Sequence, residues 1–205
     1  ISRSRVNIND GLKIQKGIHG FKPEDVIHFL NKQGRKKDFF PVFDLKNLNS
    51  KEYQMFNWSN LYIAHFKGEI KGIIGAWDQT SYKQTFIRAL STRIKTIKPF
   101  HNLILSKIFH KPVIPNIGAS IQSFFVTLIA IEQNNPNIFA QLLDKVSVEN
   151  AKNYQCFYVG LSESDPLCSS MKYFSNIEYK GLLYLVDYKL NKSLNSIPYI
   201  DLAKL

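Results

Sequence analysis

A mixed α/β fold is predicted by three features of the sequence. Ser123–Ile131 and Cys156–Leu161 are apolar runs rich in β-branched and aromatic residues, and read as buried strands. Between them Ile138–Asn153 repeats its apolar residues at helical spacing, with Ile138, Leu142 and Val146 on successive turns. A strand–helix–strand order of this kind sets the two strands side by side in parallel, joined by a right-handed crossover. Upstream, Leu61–Phe66 and Ile70–Trp77 flank the turn Lys67-Gly68-Glu69, a hairpin that adds antiparallel strands.

The remaining elements follow in order. Residues 1–11 are polar and basic and read as an arm or linker, with a single domain expected over 12–205. Leu12–Lys16 alternates like a first strand. Lys22-Pro23-Glu24-Asp25 marks a helix start, with proline early and acids in the first turn, and Gly34 marks its end. Val26, Ile27, Phe29 and Leu30 form its apolar face. Asp44–Phe56 is expected to be a second helix. After Trp77 the strand is expected to continue to Ile87, with Trp77, Gln79, Ser81, Lys83 and Thr85 on one face. Ile87, Leu90, Ile94 and Ile97 then recur at helical spacing, Pro99 interrupts them, and Phe100–Phe109 reads as a short helix. Lys111–Gly118 is a loop by composition. Asn134–Asn137 is a turn and helix cap. Pro166–Phe174 reads as a short helix and Leu182–Tyr188 as a closing strand.

Composition bounds the function classes. The 205 residues suit one domain, and 44% hydrophobic with 13% aromatic residues argue against disorder. No apolar run approaches the roughly 20 residues of a bilayer-spanning helix, and no secretory signal is visible. The chain begins at Ile1 rather than Met, which points to residues upstream. Cys156 and Cys168 are too few for a disulfide scaffold, and as reduced thiols they suggest a cytoplasmic setting. The five histidines, His19, His28, His65, His101 and His110, have no metal-ligand spacing with them, so no metal is expected. Cys156 is expected in a strand interior, as core.

The net charge of +11 is unevenly placed. Gln79–Ile131 contains no Asp or Glu, yet carries Lys83, Arg88, Arg93, Lys95, Lys98, Lys107 and Lys111. Such a block favours an anionic partner: a nucleotide cofactor, an acidic carrier protein, a lipid surface or nucleic acid. An AT-rich genome that uses Lys, Asn and Ile freely would give the same composition. No nucleic-acid motif, Walker loop or Ser-His-Asp elbow is present.

In this order the segments resemble the GCN5-related N-acetyltransferase (GNAT) superfamily over about two-thirds of the chain. The hairpin Leu61–Trp77, with Gly68, Gly72 and Gly75, is similar to that family's second and third strands, and Ser123–Ile131 to its central fourth strand. Met171–Tyr179 resembles its tyrosine-containing fourth helix and the following turn, and Leu182–Val186 its final strand pair. The resemblance implies a central mixed sheet with flanking helices. It implies acyl transfer from a coenzyme A thioester or an acyl-carrier-protein thioester to a small-molecule amine.

Two departures qualify it. The family's fourth strand opens into a Gln/Arg-x-x-Gly-x-Gly/Ala loop, whose N–H groups wrap the coenzyme A pyrophosphate. Here Ile131–Phe139 contains no glycine, Pro136 lacks an N–H, and Glu132 adds negative charge. Gln133, Asn134, Asn135 and Asn137, with the Ile131 backbone, are what remain for a cofactor. The second departure is the basic insertion at about 80–120, between the strands matching the family's third and fourth. It reads as a cap over the cleft, as a docking face for an acidic carrier protein, or as a helix pair covering one sheet face. Acyl-homoserine-lactone and N-acyl-amino-acid synthases pair the same fold with acidic carriers.

Acyl transfer to an amine needs a base, a polariser for the thioester oxygen and an acid for the leaving thiolate. By the resemblance Tyr173 matches the acid, although its turn lacks the family's Gly-Phe pair; packing between helix and sheet would use a tyrosine equally well. Glu132 is a candidate base at the end of a buried strand. Glu163 and Asp165 follow the next strand, where α/β sheets place ligands; Asp165 ahead of Pro166 also fits a helix cap. Asp78, Gln79 and Lys83, with Gln84, form a polar cluster that would line a substrate cleft or an exposed strand end. The alternative function is a catalytically degenerate GNAT-like domain used for binding or regulation.

Overall fold

The structure is a computed structural model. It describes residues 11–48, 53, 56–105, 108, 113–184 and 196–204. A five-stranded sheet forms from β1 (Lys13–Lys16), β3 (Leu61–Phe66), β4 (Glu69–Asp78), β5 (Ser123–Ile131) and β6 (Cys156–Val159), in that spatial order. All neighbours are antiparallel except β5 and β6, which run parallel. A second, two-residue pairing joins β2 (Lys37–Asp38) to β7 (Ile197–Pro198) in parallel. The β3–β4 turn places Lys67 at φ 49° and Gly68 at φ 85°. Two left-handed residues in a two-residue loop match the twist of the strands they join.

Helices cover both faces. α1 (Pro23–Gly34) starts with proline in its first turn beside Glu24 and Asp25, as the sequence predicts. Its Val26, Phe29 and Leu30 pack with Ile63, Ile73, Trp77 and Leu128. On the other face α4 (Pro136–Asn150) sets Ile138, Phe139, Leu142, Leu143 and Val146 against Tyr62, Ile74, Val126 and Ile129. α4 sits close at Gly72, where a Cβ would lie 2.9 Å from Ile138 Cγ2 and 3.0 Å from Leu142 Cδ1. That spacing explains the glycine in a strand interior.

Several expectations are corrected. β4 stops at Asp78 because the Asp78 carboxylate accepts from both the Thr80 N–H and hydroxyl, an Asx-type turn that competes with extended structure. Trp77, Gln79, Ser81, Lys83 and Thr85 therefore share no strand face. Ile87–Leu90 is not helical; α3 (Thr92–Phe100) begins after Ser91, whose hydroxyl accepts the Ile94 N–H. Pro99 lies inside it, and the next turn, His101–Leu105, widens to π geometry. A proline removes one helical N–H and crowds the preceding turn, which accounts for the change of pitch. The helix expected at Asp44–Phe56 is realised as α2 (Leu45–Leu48), with much of the remainder outside the described residues. β6 is the last strand of the sheet and leaves Cys156 exposed, so that thiol is not core. Leu182–Tyr184 are irregular and exposed rather than a strand, and residues 185–188 of that prediction lie outside the described residues.

The basic insertion is a stalked arm. Phe86 bridges Ser120, and Ile87, Gly118 and Ile121 extend the stem through backbone bonds to Ala119, Ile87 and Thr85. Above the stem, Asn102 bonds both the N–H and the carbonyl of Ile114, and the Lys98 ammonium bonds the Pro115 carbonyl. The stem continues from the N-terminal end of β5. A nine-residue strand separates that end from the Ile131–Phe139 loop, a distance of roughly 26 Å at strand rise. The stem of the arm therefore rises from the end of β5 opposite that loop.

Candidate active site

The centre of the sheet carries a bulge. Gly72 pairs with Ile131 and Ile73 with Ala130, but Gly75 pairs with Thr127, so Ile74 faces both Leu128 and Ile129. Leu128 takes φ 52° although it is fully buried. A bulge of this kind turns the backbone and re-aims its polar groups. At the same height β6 ends. Ser123–Val126 pair with Cys156–Val159, and beyond them Thr127–Ile131 have no β6 partner. The two parallel strands thus part where the bulge begins.

Residues 199–203 fill this gap. Their approach is fixed by β7, by the Tyr199 N–H bond to the Asp38 carbonyl (2.8 Å) and by the Ser196 N–H bond to the Asp38 carboxylate (2.8 Å). Gly160, just past β6, leaves room for them: a Cβ there would lie 2.7 Å from Leu202 Cγ and 3.1 Å from Ile200 Cγ2. Tyr199 belongs to the core on the α4 face and Ala203 to the core on the α1 face, so the segment passes through the sheet opening. The buried Gln79 amide donates to the Ala203 carbonyl at 2.8 Å.

A polar cluster forms at the bulge. The Thr127 hydroxyl donates to Asp201 Oδ2 at 2.7 Å, and the Ala203 N–H donates to Asp201 Oδ1 at 3.1 Å. The Tyr199 hydroxyl lies 3.5 Å from the same carboxylate and accepts the Ile129 backbone N–H. Burial raises the Asp201 pKa despite the Thr127 and Ala203 bonds. Burial, followed by the Asp201 charge, pushes the Tyr199 hydroxyl well above its ordinary value. The arrangement is a basic carboxylate next to a backbone N–H at a bulge, inside the sheet.

Lys37 and Asp165 brace its rim. Lys37 Nζ meets Asp165 Oδ2 at 2.7 Å, with both side chains no more than 5% exposed. Asp165 also caps the short 3-10 helix Pro166–Tyr173 by accepting the Leu167 N–H at 3.0 Å. The cap reading of Asp165 is the geometry found.

The other sequence-predicted residues are dispersed. Glu132 pairs with Lys71 at 3.2 Å on the partly exposed β4 side. Glu163 is exposed and meets Lys180 at 3.4 Å, a surface pair of little energetic weight. Asp78 accepts from the Tyr154 hydroxyl at 2.8 Å. Burial pushes the Asp78 carboxyl up, but the Thr80 and Tyr154 bonds outweigh it and hold it below its usual value. Lys83 lies over the Phe125 ring at 4.9 Å. Tyr173 is half-buried on the last turn of its helix, with the Lys172 ammonium 5.1 Å from its ring centre. Only Gln79 among these reaches residues 199–203. Thr127, Tyr199 and Asp201 were not singled out by the sequence; the one local signal is a lone acid inside Ile200-Asp201-Leu202-Ala203.

The loop after β5 replaces glycine in conformation but not in donors. Gln133 (φ 54°) and Asn134 (φ 49°) both take left-handed backbone, which asparagine tolerates better than most residues. Pro136 has no N–H, the Asn137 N–H goes to Asn135 Oδ1 at 2.9 Å, and the Phe139 N–H goes to the Asn135 carbonyl. The Ile138 N–H is what the first turn leaves for an anion. Ile131 is buried in the core beneath.

Among solved structures, an aminoglycoside acetyltransferase from an uncultured soil metagenomic sample, solved with sisomicin, is similar over 87% of this chain and 98% of its own, at 12% identity and a TM-score of 0.50. The fold is that of the GNAT acetyltransferases. A predicted acetyltransferase from Clostridium acetobutylicum, solved with acetyl-CoA, matches 85% of this chain and 96% of its own at 14% identity and a TM-score of 0.45. A Trypanosoma brucei acetyltransferase matches 85% and 99% at 10% identity and a TM-score of 0.42. No protein-family model and no curated protein matches the sequence. At these identities the likeness is one of fold. Within that GNAT fold the mixed sheet and its flanking helices are as the sequence predicts. No helix among the described residues is long and apolar enough to cross a membrane.

Proposed function

We propose that this chain is an acyltransferase that moves an acyl group from a thioester donor to the amine of a small molecule, at the opening between β5 and β6. The observation that carries the reading is the bulge cluster: the part-buried Asp201 carboxylate, held by Thr127, beside the Ile129 N–H. A GNAT fold containing that cluster has a base and a carbonyl polariser within one site. The acetyltransferase fold suggests a coenzyme A thioester as the donor. The aminoglycoside acetyltransferases suggest an amine-bearing acceptor.

The Asp201 carboxylate takes a proton from the acceptor ammonium. The free amine attacks the thioester carbonyl carbon, whose oxygen is polarised by the Ile129 N–H. The attacking nitrogen gives its second proton to water as the carbon–sulfur bond breaks, and the departing thiolate takes a proton from Tyr173, itself reprotonated by solvent, or from water, leaving an amide and a thiol. Tyr199 now occupies the Ile129 N–H, so its hydroxyl must yield that position before a carbonyl can take it. Gln133, Asn134 and Asn137, with the Ile138 N–H, are the groups available to the donor's phosphates.

A second reading is favoured by the same two features that hinder catalysis. The filled opening and the donor-poor loop suit a GNAT fold kept for binding without turnover. Calorimetric titration with acetyl-CoA, longer acyl-CoAs and acylated carrier protein tests the first reading. Binding of any of them, followed by amide formation that Asp201→Asn removes, is expected. Failure of every donor to bind leaves the second reading.

A further inference from the structure

The stalked arm is the other feature that the fold does not consume. No residue of α3 is buried, and among the described residues its bond outside the helical stretch is that of Lys98 to the Pro115 carbonyl and the Asn116 side chain. It nevertheless carries Ile94 (41% exposed), Ile97 (46%) and Phe100 (57%), followed by Leu103 (64%). Arg88, Arg93 and Lys95 stand among them, within a stretch that contains no acid. Exposed apolar residues in such number on one projecting element mark a contact surface.

Charge and shape together decide the occupant. A second copy would bring the same acid-free cationic arm against this one. Nucleic acid would use the cations but leave the aliphatic side chains in water. A helix-binding groove selects a regular apolar stripe along an unbroken helix. Here α3 is nine residues long, holds Pro99 and changes to π pitch after Phe100. Apolar exposure also spreads onto both legs of the arm, at Phe86, Val113 and Ile117. A planar interface accepts such irregular insertion, with aliphatic and aromatic groups entering the acyl boundary while long basic side chains reach back to the headgroups.

We propose that the arm binds anionic lipid bilayers peripherally, with Ile94, Ile97, Phe100 and Leu103 entering the interface and Arg88, Arg93 and Lys95 on the lipid phosphates. The proposal does not depend on the acyltransferase reading, since the arm lies at the far end of β5 from the loop.

Sedimentation of the full chain with vesicles is the test. The chain co-sediments with vesicles rich in phosphatidylglycerol and much less with phosphatidylcholine alone, and salt weakens the binding. Arg93→Glu with Lys95→Glu weakens it by roughly tenfold or more. Ile97→Asp with Phe100→Asp weakens it comparably. All four positions are exposed, and unchanged circular dichroism and melting confirm that each variant folds. Absence of binding to the anionic vesicles overturns the proposal, as does equal binding to both lipids. Binding that survives the apolar double variant unchanged, or binding to an acidic protein or polyanion but not to vesicles, overturns it as well.

Discussion

The Thr127 hydroxyl, in the central strand, donates to the Asp201 carboxylate at 2.7 Å across a sequence separation of 74 residues. This bond ties the last described stretch of the chain to the one place where the sheet opens. Asp201→Asn is therefore expected to abolish amide formation while leaving donor binding intact. Steady-state turnover and calorimetry on the same variant separate the two quantities. Retained turnover would remove Asp201 from the mechanism.

Asp201 also makes a prediction about stability and pH. Its pKa is raised in the folded state, so over the window above the ordinary carboxylate value the folded protein holds the proton more tightly than the unfolded chain. Stability contributed by this group declines as pH rises through that window. The melting temperature of the native protein should fall relative to that of Asp201→Asn between the ordinary and the raised pKa. A constant difference across that range contradicts the assignment.

Tyr199→Phe keeps the ring in its core but releases the Ile129 N–H. It is expected to cost about 1–2 kcal/mol, for a buried donor left without its partner, and to strengthen acyl-CoA binding. Denaturant unfolding and calorimetry read the two effects. Weaker donor binding in this variant would place the Tyr199 hydroxyl among the donor's own contacts.

Lys37→Met strands the Asp165 carboxylate in a buried position. A loss of about 3–5 kcal/mol is expected, measured by urea unfolding. Asp165→Asn added to it should restore most of the loss, because asparagine can still cap the Leu167 N–H.

Gly72→Ala tests the seat of α4. The new methyl would meet Ile138, Leu142 and Ile131 at 2.9–3.1 Å, so about 1–3 kcal/mol of overpacking strain is expected. A neutral effect on melting would show that α4 can move outward.

What was legible in the sequence was local. Pro23 with two acids marks the start of α1, and Asn135-Pro136 the start of α4, because helix ends are written in capping residues. The Lys67-Gly68 turn fixes its hairpin in the same way. What was not legible depends on tertiary contact. Cys156 looks like core until β6 proves to be the end of the sheet. Asp78 ends a strand through a side-chain turn that alternation does not encode. Asp201 acquires its character from its partial burial and from Thr127, Tyr199 and the Ala203 N–H around it. The acids that the sequence offers, Asp78, Glu132, Glu163 and Asp165, stand at or soon after the end of a strand. The acid at the bulge arrives from a distant segment instead.

Phe86 and Ser120 bridge one another at the foot of the arm, so their backbones stand about 5 Å apart. The chain could be rejoined there by a short hairpin turn with little demand on the sheet. The arm is thus a detachable module, open to deletion, exchange or transplantation onto another hairpin, and the GNAT fold beneath it would keep its strands in register without it.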